Sequence, residues 1–174
     1  MFLGHFAVAL AAKKAAPKTS LGTLVLAAQF ADIIWPVLLL LGVEQVRIVP
    51  GLMAASPFDF TSYPISHSLA AELCWGAIFG IAYFAVRRDV RSALIVGMIV
   101  PTHWLLDFIM HRPDMPIYPG GAKYGLGMWN SLALTIFVEY VLFAAGIAVY
   151  VGITRAKDHA GNLALWSRLL WLDS

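Results

Sequence analysis

Long apolar blocks alternate along the chain with short polar ones, and the block lengths set the first expectation. Residues 19–42 (TSLGTLVLAAQFADIIWPVLLLLG) and 129–153 (WNSLALTIFVEYVLFAAGIAVYVGI) are each long enough to cross roughly 30 Å of hydrocarbon as a helix, and so are 65–86 and 92–110. Residues 1–16 (MFLGHFAVALAAKKAA) are apolar but shorter. A signal peptide carries positive charge before its apolar run, whereas Lys13 and Lys14 follow it, so a retained helix is predicted. The pattern predicts an all-α integral membrane protein with a single membrane-embedded domain over residues 1–174. Its architecture is a compact bundle of four long transmembrane helices plus a short N-terminal helix, without internal repeats. Residues 111–128 hold Pro113, Pro116, Pro119, Gly120, Gly121, Gly125 and Gly127; they are too rich in turn formers for a helix and read as an outer lid loop.

The polar positions inside these blocks carry the chemistry. In "THWLLDFIMH", residues 102–111, His103, Asp107 and His111 recur at steps of four, which places them on one stripe of a helix. His5 falls near the start of the first apolar segment, Asp32 within the second, and His67 at the start of the third. Glu72 and Glu139 are further interior carboxylates. His103 and Asp107 are one turn apart and can share an ion. On a continuous helix His111 would lie about 12 Å from His103, too far to join it, so His111 reads as a second-metal ligand, a substrate contact or a helix-end residue.

Charge then orients the chain. Of 12 Lys and Arg, Lys13, Lys14, Lys18, Arg87, Arg88, Arg91, Arg155, Lys157 and Arg168 fall on one side of alternating loops, leaving Arg47, Arg112 and Lys123 on the other. By the positive-inside rule the N-terminus is outside and the C-terminus cytoplasmic, in the inner (plasma) membrane. The net charge of +2 follows from this topology, so no nucleic-acid partner is expected. His5, Asp32, His67, His103 and Asp107 then all lie in the outer half. Ionisable groups in hydrocarbon cost at least a few kcal/mol each unless paired, solvated or metal-bound. With His111 at the end of the same helix, four histidines and two carboxylates on that side point to a divalent ion, Zn²⁺ or Mn²⁺. The competing reading is a hydrogen-bonded cluster that holds helices together. Cys74 offers no disulfide and reads as a small core residue.

Four short motifs in chain order, "GH", "ADI", "SHSL" and "THWLLDF", resemble the LexA-binding, inner-membrane-associated metal-dependent hydrolases over residues 4 to 107. That family's pattern is an early His, a Pro-Asp-x-Asp turn, a Thr-His-Ser and a Ser-His-x-x-x-Asp. The resemblance implies His5, Asp32, His67, His103 and Asp107 as metal ligands. Ile34 stands where the pattern has its second Asp, and Ser62 where a His often precedes the Thr-His-Ser, so ligands that a two-metal centre would use are missing.

The expected chemistry follows. A metal-activated water would attack an ester or phosphoester of an amphipathic or lipid substrate, with Asp107 or Asp32 taking the proton. Arg112, Lys123 and His111 are the candidate substrate contacts, the two cations for an anionic headgroup. The partners are membrane lipids and that substrate. The alternatives are a non-catalytic metal-binding or metal-transporting protein, or a bis-His haem protein.

Overall fold

The computed structural model describes residues 1–154; Arg155, Lys157, His159 and Arg168 lie outside the described residues. The fold is all-α in class, with six α-helices among the described residues. These are α1 (Leu3–Ala12), α2 (Leu21–Ala28), α3 (Phe30–Leu40), α4 (Leu69–Arg87), α5 (Val90–Met110) and α6 (Leu132–Ile153). Three of them, α4, α5 and α6, are long and apolar enough to cross a membrane.

The expected single helix over 19–42 is a correction. It breaks at Gln29 into α2 and α3, whose axes bend by 52°, and only the pair together has the length of a span. The break puts Asp32 in the first turn of α3, where the helix dipole favours a carboxylate. Ser20, Ser68, Asp89 and Ser131 cap the starts of α2, α4, α5 and α6, each accepting a backbone N–H three residues on.

Helix α5 is the central element and carries the most buried residues, with α4 antiparallel to it across the two-residue turn Arg88–Asp89. These two helices touch backbone to backbone through Gly76, Gly80 and Gly97. A Cβ on Gly97 would come within 2.8 Å of the Gly76 carbonyl oxygen. Gly146 of α6 allows the same approach to Ala7 of α1, where a Cβ would meet the Ala7 Cα at 2.7 Å. Small residues at these crossings let the helix backbones approach closely. Glu139 of α6 is explained by this contact. Its two carboxylate oxygens accept the Phe2 and Gly4 N–H groups at 2.8 and 3.0 Å, satisfying free donors at the start of α1.

The loops are more ordered than the turn formers suggest. Residues 43–64 form a hairpin of β1 (Gln45–Ile48) and β2 (Phe58–Ser62), pairing Val46 with Phe60 and Arg47 with Asp59. The supposed lid holds a second, short hairpin of β3 (Met115–Pro116) and β4 (Lys123–Tyr124), then a 3₁₀ turn at Met128–Asn130. Phe60, Tyr63, Trp104 and Met115 are buried together where the hairpins meet α5. Cys74 is exposed on the outside of α4, not in the core.

Candidate metal centre

Asp107 is the hub of the polar interior. It is 2% exposed, and His5, His67, His103 and His111 all face it. The His5 Nε2 is 3.2 Å from Oδ1. On Oδ2 converge the Nε2 atoms of His103 at 3.3 Å, His111 at 3.7 Å and His67 at 3.8 Å. The Met1 backbone nitrogen also hydrogen-bonds Asp107 Oδ1. Asp32 closes the other side: its Oδ1 is 3.5 Å from His67 Nε2 and 3.6 Å from His103 Nε2. The structure therefore brings all five expected ligands together, from four separate segments of the chain.

The rings of His103 and His67 are held from behind. His103 Nδ1 lies 2.9 Å from the Ala28 carbonyl oxygen, which can only accept, so Nδ1 holds a proton, and in the neutral ring Nε2 presents the lone pair. Behind His67 stands a relay that the sequence did not reveal. Glu44, 2% exposed, accepts the Ile65 and Ser66 N–H groups at 2.8 and 2.9 Å and the Ser66 hydroxyl at 2.6 Å. The Ser66 Oγ in turn sits 2.6 Å from His67 Nδ1. Having given its one proton to Glu44, the hydroxyl must accept from Nδ1–H, leaving the His67 Nε2 lone pair turned inward. Burial also pushes the His67 pKa below its ordinary value, against the pull of Asp32, which favours the neutral ligating form.

His111 is reached by a route that the axial argument missed. Helix α5 ends at Met110, and His111 is extended at ψ 149°, so its ring turns back toward Asp107 instead of rising another turn. Its Nδ1 lies 3.0 Å from Asp114 Oδ1, which also accepts the Tyr63 hydroxyl at 3.1 Å. Burial, and the Asp114 charge after it, hold the Tyr63 phenol far above its ordinary pKa. The ring of His111 packs between Phe60 and Trp129, with centroids at 4.7 and 4.2 Å.

The two expected anion contacts already have partners within the protein. Arg112 pairs with Asp59 and lies 3.3 Å from Asp114, while Lys123 donates to the Thr61 carbonyl at 3.2 Å. Both tie one hairpin to the other. Glu72 is fully buried between α4 and α5. Its Oε2 accepts the Trp104 N–H at 3.0 Å, and its Oε1 has no hydrogen-bond partner among the described residues.

The donor set fits a divalent ion. Two overlapping groups, His5–His103–Asp107 and Asp32–His67–His103, have ligand atoms within 4.8 Å of one another. Between the imidazoles of His67 and His103 and the carboxylates of Asp32 and Asp107, the four nitrogen–oxygen separations are 3.3–3.8 Å. Two ligands about 2.0–2.1 Å from a tetrahedral ion stand about 3.3–3.4 Å apart, so each of these imidazole–carboxylate pairs is near the separation that a shared ion requires. His103 Nε2 is buried and has no hydrogen-bond partner among the described residues, which leaves it available to ligate an ion. No family model, curated protein or solved structure matches the chain. Its function must therefore be argued from this geometry.

Proposed function

We propose that the chain is a membrane-embedded, metal-dependent hydrolase that holds one Zn²⁺ among His5, Asp32, His67, His103 and Asp107. The observation that carries it is the convergence of inward-facing imidazole nitrogens on two carboxylates, at nitrogen–oxygen separations of 3.3–3.8 Å, with the rear nitrogens of His67 and His103 held by fixed partners. Such rear contacts orient metal ligands and raise their basicity. One ion suits the site better than two. His103, common to both groups, has a single free nitrogen.

The residues divide the work by exposure. Asp107 is sealed and suits holding the ion. The side chain of Asp32 is 37% exposed, the one open edge among the five. Its Oδ1 faces His67 and His103, which leaves Oδ2 at the mouth to accept a proton from water. When bound, a divalent ion polarises an ester or phosphoryl oxygen and acidifies water. Ile33 and Val37, exposed next to Asp32 on α3, offer an apolar approach for an amphipathic substrate. His111, lodged against Asp107 and two aromatic rings, orients the centre from behind rather than meeting substrate at its mouth. With α4, α5, α6 and the α2–α3 pair spanning the inner membrane, the centre faces the outer side and the basic loops the cytoplasm.

The geometry favours an ion over haem. The His5 and His103 rings stack face to face, 3.6 Å between centroids and 6° from parallel, whereas axial haem ligands oppose each other edge-on across the iron. The test is elemental analysis of the detergent-purified protein, together with hydrolysis of a broad panel of lipid esters and phosphoesters. Near one zinc per chain is expected, lost in His103→Ala. Asp32→Asn should retain more metal than His103→Ala yet lose activity. A zinc-loaded chain that cleaves nothing in the panel overturns the hydrolase. A chain that binds no transition metal overturns the centre itself.

A further inference from the structure

The end of the bundle opposite the metal centre is built differently. Helix α4 begins beside His67 and runs 19 residues, about 28 Å, to Arg87. There a cavity of about 540 Å³ is lined by Lys18, Arg87, Arg88 and Arg91, with Asp89 as its one carboxylate. Asp89 accepts the Ser92 N–H on Oδ1 and the Ser92 hydroxyl on Oδ2, and its charge also meets that of Lys18. Lys18, Arg87 and Arg91 make no side-chain hydrogen bond or salt bridge to any described residue, and Arg88 only overlies the Phe84 ring at 5.8 Å. Four cations around one space, against the single carboxylate of Asp89, leave an excess of positive charge that suits an anion.

A second cavity adjoins it. A groove of about 470 Å³ runs up the bundle from the same point, walled by Thr23 of α2, Ile78, Phe79, Ala82 and Val86 of α4, and Val96 of α5. Tyr83 and Arg87 line both spaces. The backbone supplies an independent sign. Arg88 has φ of 53°, the sole positive φ at a non-glycine position among the described residues, where a helix end usually places glycine. A large cationic side chain kept at a strained position suggests that the side chain itself is needed there.

We propose that this end binds one anionic phospholipid, with its phosphate among Lys18, Arg87, Arg88 and Arg91 and one acyl chain in the groove between α2 and α4. A zwitterionic lipid would leave the cations half-compensated, and a soluble phosphate would leave the groove unfilled. The proposal rests on the membrane placement given above but not on the metal centre. Arg guanidinium forks suit phosphate oxygens, and each Lys or Arg near an anionic lipid headgroup strengthens binding about fivefold.

The test is native mass spectrometry of the delipidated, detergent-purified chain with phosphatidylglycerol or phosphatidylcholine of identical acyl chains. Phosphatidylglycerol should be retained preferentially, and glycerol phosphate alone should not bind. Arg88→Gly relieves the backbone and should melt no lower than the native chain, yet lose about fivefold in phosphatidylglycerol retention. Lys14→Gln removes a cation from the same end without touching the cavity and should change nothing. Ala82→Trp fills the groove without altering charge and should also lower retention. His103→Ala should leave lipid binding intact, so this site and the metal centre fail separately. Equal retention of both lipids would overturn the proposal, as would an Arg88→Gly or Ala82→Trp variant that binds like the native chain. So would a Lys14→Gln loss equal to that of Arg88→Gly, which would mean diffuse charge, or glycerol phosphate binding as tightly as the lipid.

Discussion

His67 can present a lone pair inward only while Ser66 gives its proton to Glu44. In Glu44→Gln the amide can donate to Ser66 instead, and the hydroxyl can then turn its proton toward Nδ1 and move the imidazole proton to Nε2. Zinc affinity, measured by chelator competition, should fall about 10–100-fold, the usual effect of losing such a rear partner. Imidazole nitrogen chemical shifts of the metal-free protein should show the changed tautomer. Tyr63 gives a prediction in pH. Its folded pKa is raised by burial, so above the ordinary phenol value of about 10 the unfolded chain releases a proton that the folded one keeps. Stability should therefore decline as pH rises past that value, and Tyr63→Phe should flatten the alkaline limb of a melting-temperature profile. At this scale the sequence was readable where a residue was out of place. His5, Asp32, His67, His103 and Asp107 stood out because ionisable groups are rare in apolar segments, and the structure brings them together. Glu44 and Asp114 lie in polar loops, where a carboxylate raises no question, and only the folded chain shows them buried.

At the scale of elements, spacing that suits a helix does not show where the helix breaks. The segments that became α1, α4, α5 and α6 were legible from their apolar length. The break at Gln29 was not, because neither glycine nor proline occupies it, and Pro36 lies further on inside α3. The hairpins were equally hidden, since β3 and β4 are two residues each and their partners are fixed by contacts with α5 rather than by alternation. What the glycines do at the α4–α5 crossing is testable. In Gly97→Ala the new methyl would press on the Gly76 carbonyl at the 2.8 Å approach. Overpacking of this kind costs about 1–3 kcal/mol. Thermal or denaturant unfolding in detergent should register it, while Gly152→Ala, with nothing within 4 Å of the new carbon, should be neutral or slightly stabilising.

Across the whole molecule, charge separates the two ends of one bundle. Sealed imidazoles and carboxylates gather where α4 begins and α5 finishes, and open arginines where α4 finishes and α5 begins. The hairpins complete only the first end, and Glu44, one residue before β1, joins them to it through Ser66 and His67. If the centre holds the proposed ion, that join makes the ion and the hairpin thermodynamic partners. Whatever free energy the ordered strand lends to metal binding, the bound metal must return to the strand, since coupling between two equilibria is reciprocal. Loading zinc should thus slow hydrogen–deuterium exchange at the Val46 and Phe60 amides. The protection should vanish in Glu44→Gln while exchange in the distant half of α4 stays unchanged. A small surface hairpin of this kind would then report, from outside the bundle, whether the buried centre is filled.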